Sequence, residues 1–268
     1  MDLIVRCCGS YNKNIPLKKR WFDNLILNLP NIHLMPPATG CLICGAPIEY
    51  LTEPEEMECL FCKEKQFSSS RCVNGHYICD RCLRMDAEDL IESTTIRSTS
   101  DNPFLIAEKL LESPPLKMHG PEHHFLVPAV LIAALYNHTG QQEKKERGIK
   151  TARRRAELVK GGFCGMMGDC GAAVGTGIFV SVVTGATPLS REEWRLSNLV
   201  TARTLEEIAL HGGPRCCKRN TFLALRSAVR FLETEMKIKL PMPGTIRCRF
   251  SDQNAECLKE KCPFYPGP

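Results

Sequence analysis

Eight residues of the types that bind zinc lie within positions 41–82 of this chain, and they constrain its fold more than any other feature. They form four closely spaced pairs, which in chain order are Cys41 and Cys44, Cys59 and Cys62, Cys72 and His76, and Cys79 and Cys82. Zinc takes four sulfur or nitrogen ligands in a tetrahedron, and one Cys-x2-Cys turn supplies two of them. Eight candidates therefore predict two zinc ions in a small module.

The spacing leaves the pairing of these ligands open. The first pair with the second would give a zinc ribbon, whereas the first with the fourth would give an interleaved arrangement. A single-zinc version would leave Cys72, His76 or both without a metal. A site filled by four protein ligands has no open position for a substrate, so we expect the zinc to be structural.

The segment from Cys72 to Cys82 resembles the middle of a RING-type cross-brace, where a Cys/His pair precedes a Cys/Cys pair. A RING domain places its fourth pair downstream, whereas here the extra pair, Cys59 and Cys62, lies upstream. We therefore do not expect ubiquitin-ligase activity from this resemblance.

Cysteine makes up 16 of the 268 residues, and the N-terminus gives no reason to interpret them as disulfides. The sequence before Arg6 lacks the apolar core of a secretory signal, so we expect the protein in the cytoplasm. In that reducing compartment the cysteines are expected to be metal ligands or reactive thiols. The uncharged stretch 170–190 contains four glycines and five hydroxyl residues, which favours a core helix over a membrane span. A net charge of +5 is too small to indicate nucleic-acid binding by itself.

Composition divides the chain into four parts. Residues 1–40 are predicted to be a leader with a short helix and a linker, and 41–82 the two-zinc module. Residues 83–118 look like a polar connector with one helix, and 119–268 like an all-α domain with cysteine-bearing glycine loops. The predicted fold is therefore mainly α, with a small zinc-ribbon or treble-clef-like module before an all-α helical domain.

Capping residues and glycines predict the helices. Asp101 or Asn102 should cap the connector helix, with Pro103 in its first position. The apolar face of that helix is predicted to carry Phe104, Leu105, Leu110 and Leu111. Further helices are predicted over 122–138, over 141–160 and from about Cys170. A capping box at 190–193 predicts a helix that runs to about Leu210. The last helix is predicted to begin at Pro214, with one apolar stripe made of Phe222, Leu225, Val229 and Leu232.

Two glycine-rich segments place cysteines at predicted helix starts. The first contains Cys164 and Cys170, and the second contains Cys216 and Cys217 beside three basic residues. Helix N-termini and nearby cations lower the pKa of a thiol, which favours metal binding. These four cysteines are therefore the candidate ligands of an iron–sulfur cluster of the [4Fe–4S] kind. Since vicinal helix positions point about 100° apart, only one of the last two should face a shared site.

The C-terminal tail carries three more cysteines, Cys248, Cys257 and Cys262. Pro263 after Cys262 resembles the end of a bacterial ferredoxin run, but the repeated Cys-x2-Cys spacing is missing. Both a tail cluster and ordinary packing cysteines stay open here. Cys7 and Cys8 receive no assignment.

Candidate catalytic residues lie at the start of the helix over 122–138. His123 and Glu122 could move a proton, with Cys217 as the thiol, because histidine titrates near neutral pH. The other interpretation is that these polar residues only cap a helix. The basic residues of 144–155 alternate with glutamates, which favours a solvated helix face over an RNA groove.

The segment from Gly161 to Gly175, with Cys164 and with Cys-Gly-Ala-Ala-Val-Gly from Cys170, resembles the redox-active family named for its C-GCAxxG-C-C pattern. The whole chain is also similar to an uncharacterised Cys-rich domain family of anaerobic archaea and bacteria. These resemblances imply a sulfur-linked or iron–sulfur-linked role with no assigned reaction. They point to Cys164, Cys170, Cys216 and Cys217, and the cysteine doublet is a departure from the pattern.

Three functions follow as hypotheses. The first is a metalloprotein with structural zinc and an iron–sulfur cluster, acting in sulfur transfer or desulfuration on a small thiolated substrate or a sulfur carrier. The second is a thiol-disulfide redox protein without a cluster, cycling Cys164 with Cys170 or Cys216 with Cys217. The third is a zinc-ribbon adaptor that binds tRNA or another protein. None of them involves a membrane.

Overall fold

The computed structural model describes residues 41, 43–44, 46–79, 82 and 86–267. In these residues the protein is mainly helical, with eight α-helices and one two-stranded sheet, which confirms the predicted fold class. The leader over 1–40, with its predicted helix and with Cys7 and Cys8, lies outside the described residues.

The sheet is an antiparallel hairpin of β1 (Ile48–Glu58) and β2 (Lys65–Cys72). Its register shifts between Tyr50 and Glu55, where Pro54 has no N–H to donate to the ladder. Ile48 pairs with Cys72, so the end of β2 lies beside the start of β1.

The connector contains two helices rather than the single predicted one: α1 (Ala87–Arg97) and α2 (Pro103–Leu111). The sequence pattern missed α1 because it buries only two aliphatic side chains, Leu90 and Ile91, beside two threonines. Asn102 caps α2 by accepting the N–H groups of Phe104 and Leu105. Leu105 does not belong to the buried face, since 58% of its surface is exposed.

The centre of the helical domain is α3 (Glu122–His138), 14 of whose 17 residues are buried. α4 (Gln142–Ala156) packs against it, as do α1 and α2. No helix in the described parts of the chain combines the length and the apolar character needed to cross a membrane.

A short turn of helix, α5 (Phe163–Met166), leads into α6 (Gly171–Thr184). The glycines of α6 let α3 approach closely: a Cβ at Gly175 would lie 3.1 Å from the backbone oxygen of His124 and 2.9 Å from Cδ of Pro128. At Gly171 a Cβ would overlap the ring of His124.

Two long helices complete the domain, α7 (Glu192–Leu210) and α8 (Cys217–Glu235). The predicted capping box of α7 is wrong, because the Ser190 hydroxyl accepts the backbone N–H of Thr187 and leaves the helix start uncapped by a side chain. α8 begins at Cys217 rather than at Pro214, with Cys216 as its capping residue. Its predicted stripe is confirmed, since the members are all buried: Phe222, Leu225, Val229 and Leu232.

The C-terminal tail, residues 237–267, has no regular structure beyond two single 3₁₀ turns, Ser251–Gln253 and Lys259–Lys261. It nevertheless buries side chains against α8. Phe264 meets Phe222 edge to face, with ring centroids 5.6 Å apart. Arg226 lies over the ring of Phe264, at 5.4 Å from its centroid.

Candidate metal sites and helical cysteines

The first candidate metal site contains Cys41, Cys44, Cys72 and His76, whose ligand atoms all lie within 4.8 Å of one another. Sγ of Cys44 is 3.5 Å from Sγ of Cys72 and 3.3 Å from Nδ1 of His76. Nδ1 of His76 is 3.7 Å from Sγ of Cys41. His76 therefore offers Nδ1, not Nε2, to the site.

The second candidate site contains Cys59, Cys62, Cys79 and Cys82, again within 4.8 Å, and all four side chains are buried. Sγ of Cys62 and Sγ of Cys79 are 3.7 Å apart. A zinc–sulfur distance of about 2.3 Å gives a tetrahedron with edges of about 3.8 Å. Each group therefore fits one tetrahedral metal ion.

The ligand pairs combine in neither of the two ways that the sequence spacing suggested, which were first with second and first with fourth. The first pair joins the third, and the second joins the fourth, so the two sites interleave along the chain. The hairpin explains this result: it carries Cys72 to the start of β1, beside the first pair, while Cys59 and Cys62 occupy the turn between the strands. A zinc ribbon is excluded by this pairing.

Backbone N–H groups turn toward the sulfur atoms in both sites. The N–H of Ile43 donates to Cys41 and that of Asn74 to Cys72, each two residues further along the chain. Gly75 has a φ of +78°, which the turn between Cys72 and His76 requires.

Backbone hydrogen bonds lower the pKa of one thiol in each site, Cys44 and Cys59, whereas burial raises the pKa of Cys41, Cys79 and Cys82. The pKa of Cys44 falls to about 6, chiefly because the N–H of Ala46 donates to its sulfur. Burial alone would raise the pKa of Cys59, but N–H groups of Cys79, Cys62 and Phe61 bring it down to about 7.

The thiols at the start of α8 behave differently from the sequence-based expectation. Burial raises the pKa of Cys216, and it raises that of Cys217 to about 11. The predicted lowering by the helix start and its cations is therefore wrong for both, because desolvation outweighs them. The two side chains do diverge as predicted: Cys216 accepts the N–H of Arg219, and Cys217 accepts that of Gly120.

Among the four predicted cluster ligands, no three sulfur atoms lie within 4.8 Å of one another, so they do not form a site for a single ion. Cys170 receives a hydrogen bond from Nδ2 of Asn220 on α8, at 3.4 Å, and lies within electrostatic range of Cys217. Cys164 is half-buried on α5, and no described hydrogen bond or sulfur contact joins it to another cysteine.

His123 links the start of α3 to α8 by a hydrogen bond. Its Nε2 donates to the carbonyl of Lys117, so its Nδ1 accepts from the hydroxyl of Thr221, both at 3.1 Å. Burial lowers its pKa to about 3. The geometry favours a neutral structural imidazole over the proton donor expected from the sequence.

Glu122 is buried beside His123. Its carboxylate accepts the backbone N–H of Lys117 at 3.0 Å and folds over Gly120. Its charge favours the protonated form of Lys218. This arrangement also favours a structural role, in closing the turn before α3.

Sequence reasoning did not assign Cys248, Cys257 and Cys262, and the structure brings all three to Cys216. The four side chains line one small cavity of about 20 Å³ between α8 and the tail. Their separation along the chain follows no short motif, so spacing gave no signal; the ferredoxin-like Cys262-Pro263 was the single hint.

Fold and site together define a helical metal-binding protein with a cysteine-rich module. Residues 91–265 match the model of a family of unknown function, DUF5714, and the chain belongs to that family. The match begins after the module and includes the tail as far as residue 265. Comparisons with curated proteins and with solved structures found no match. The resemblance to the C-GCAxxG-C-C family stays an expectation.

Proposed function

We propose that this protein is a zinc metalloprotein in which two interleaved, structural zinc ions hold the module, while the helical domain acts in sulfur transfer. The observation that carries the zinc assignment is the pair of four-ligand groups, each within 4.8 Å. Sulfur-rich tetrahedral sets of this kind suit zinc, and a full set of protein ligands leaves no place for catalysis.

The module depends on metal because it has little other core. Of its described residues, the buried apolar side chains apart from cysteine are Met57 and Phe61. Metal binding supplies folding free energy to such small modules.

Zinc content and cobalt substitution test this half of the proposal. We expect two zinc ions per chain and, after exchange, a cobalt spectrum of tetrahedral thiolate sites. Cys62→Ser should remove one ion, and Cys164→Ser, outside both groups, should remove none. A chain that retains two zinc ions after Cys62→Ser would contradict the assignment.

Sulfur transfer in the helical domain is supported by Cys170. Its half-exposed thiol receives the Asn220 amide N–H and stands at the start of α6. In the proposed step the Cys170 thiolate attacks the outer sulfur of a persulfide donor. The donor S–S bond breaks, the donor leaves as a thiolate, and Cys170 becomes a persulfide. Sulfur carriers and small thiolated compounds are the partners that fit, in a reducing, cytoplasmic setting.

Mass spectrometry tests this step after anaerobic incubation with a small-molecule persulfide. We expect one added sulfur atom on Cys170, its loss in Cys170→Ser, and a lower yield in Asn220→Leu. Labelling of Cys164 instead of Cys170 would contradict the proposal.

The alternative thiol-disulfide function is less well supported. Cys216 and Cys217 face different surroundings, since they accept hydrogen bonds from Arg219 and Gly120 respectively.

A further inference from the structure

The cavity between α8 and the tail is lined by four cysteines that reach it from separate parts of the chain. Cys216 caps α8, Cys248 precedes the first 3₁₀ turn, and Cys257 and Cys262 flank the second. We propose that Cys216, Cys248, Cys257 and Cys262 are the ligands of an iron–sulfur cluster. This site shares only Cys216 with the set predicted from the sequence.

At two of these cysteines the local backbone resembles that at the candidate zinc ligands. The N–H of Phe250 donates to Sγ of Cys248 at 3.3 Å, and that of Lys259 donates to Sγ of Cys257 at 3.4 Å. Both bonds span two residues, as at Cys41 and Cys72 in the candidate zinc sites. Such hydrogen bonds stabilise a thiolate and tune the potential of a cluster.

The distances between the sulfur atoms distinguish this site from a zinc site. Among the described residues, groups of three or more ligand atoms within 4.8 Å occur only in the module. No three of the four sulfur atoms around the tail cavity lie that close together. A cluster fits such spacing because iron and sulfide ions stand between the thiolates, whereas a single ion would require the sulfur atoms to close in.

The charges around the cavity favour an anionic occupant. Lys218 and Arg219 are 2% and 4% exposed. In the described part of the chain their hydrogen-bond acceptors are all neutral: Nζ of Lys218 donates to the carbonyls of Leu111 and Leu116, and the Arg219 guanidinium donates to Gly212, Pro214 and Asn220. Buried cations need a counter-charge. The charge of Glu122 acts on Lys218, and a cluster with four thiolates would supply negative charge beside Arg219, which lines the cavity.

The tail itself needs an organising group. About thirty residues with almost no regular structure pack on α8, and long loops that stay ordered in a compact domain are commonly functional. The aromatic side chains that anchor the tail surround the cysteines: Phe250 lies under Lys218 at 4.7 Å, and Phe264 lines the same cavity. Both rings line the cavity, and such an apolar lining would limit the access of water to a cluster.

The full-length chain, purified without oxygen and reconstituted with iron and sulfide, tests the proposal. We expect iron and acid-labile sulfide in near-equal amounts, with visible absorption that dithionite bleaches. Cys248→Ser and Cys257→Ser should each lower the iron content several-fold and leave zinc unchanged. Cys164→Ser and Cys170→Ser are the matched controls and should retain iron. A chain without iron and sulfide, or iron loss confined to the control variants, would overturn the proposal.

A measurement on the unmodified chain covers the case in which a serine variant fails to fold. Iron chelation should make the four cavity cysteines reactive to an alkylating reagent together, while the reactivity of Cys164 stays constant. Unchanged reactivity of the four would count against the site. The cluster is independent of the zinc and persulfide proposals: the metal analysis separates iron from zinc, and Cys170→Ser abolishes persulfide formation without loss of iron.

Discussion

The module and the helical domain bury different kinds of side chain. Six of the eight buried apolar residues in the module are cysteines, whereas α3 alone buries fourteen residues, most of them aliphatic or aromatic. The module also contributes Cys59, Phe61 and Cys62 to the same buried cluster as the helices. Under the proposed zinc assignment, the module obtains its folding free energy from metal, whereas the helical domain obtains it from apolar burial.

Zinc removal should therefore produce the largest effect, and only in the module. Structural zinc contributes about 10–16 kcal/mol in small zinc peptides, far more than two apolar side chains can replace. Chelation should abolish amide hydrogen-exchange protection in β1 and β2 while α3 retains its protection. An equal loss of exchange protection in the module and in α3 would contradict this difference between the two regions.

The two zinc sites should also differ from each other. Cys59→Ser should cost more stability than Cys44→Ser, because Cys59 is fully buried against the helical core and Cys44 is exposed. Thermal unfolding, monitored by the release of zinc, measures the stability of both variants. A larger loss for Cys44→Ser would contradict this ranking.

The tail is the next test, because it belongs to the helical domain but lacks regular structure. Phe264→Ala should cost about 3–5 kcal/mol, the usual price of removing a buried aromatic ring. Limited proteolysis should then cut within 237–267 while α8 remains intact. Phe67→Ala is the matched control, since that ring is 74% exposed, and it should change stability by less than about 0.5 kcal/mol.

Close helix packing provides a test confined to the helical core. Gly175→Ala should destabilise the domain by about 1–3 kcal/mol, because the new methyl group would press against the backbone of α3. Gly165→Ala is the control, since nothing lies within 4 Å of a Cβ there. Urea unfolding measures both variants, and equal stability would show that α3 and α6 can separate without cost.

Local features were predicted well from the sequence. The helix over 122–138 has the predicted bounds because a long apolar run is enclosed by Pro121 and the Thr139-Gly140 pair. The eight module ligands were also visible, since metal turns have fixed short spacings. α1 was missed because its pattern is mostly polar.

Contacts between distant segments could not be predicted. The ligand pairing depends on the hairpin register, which joins Ile48 to Cys72. Cys216 meets the tail cysteines through tertiary packing, and no periodicity marks their approach. Burial also reversed the expected direction of the pKa shift of Cys217, because desolvation of the thiol outweighs the N–H of Gly120 and the charge of Arg215.

Acid should weaken the helical domain by a small, separable amount through His123. Its folded pKa of about 3 lies below the ordinary value of about 6.5, so protons bind the unfolded chain more tightly. The stability that the neutral imidazole provides is complete above pH 6.5 and is lost as the pH falls toward 3. From pH 7 to pH 5.5 the loss should be about 1 kcal/mol.

The variant His123→Gln isolates this contribution, because acid also protonates the zinc ligands in both proteins. Urea unfolding of the helices, followed by circular dichroism, should show a weaker pH dependence in the variant over that interval. Parallel curves would mean that His123 does not titrate on unfolding. A steeper wild-type curve would show that the helical domain responds to acid through its own buried imidazole, whereas the module responds through loss of metal.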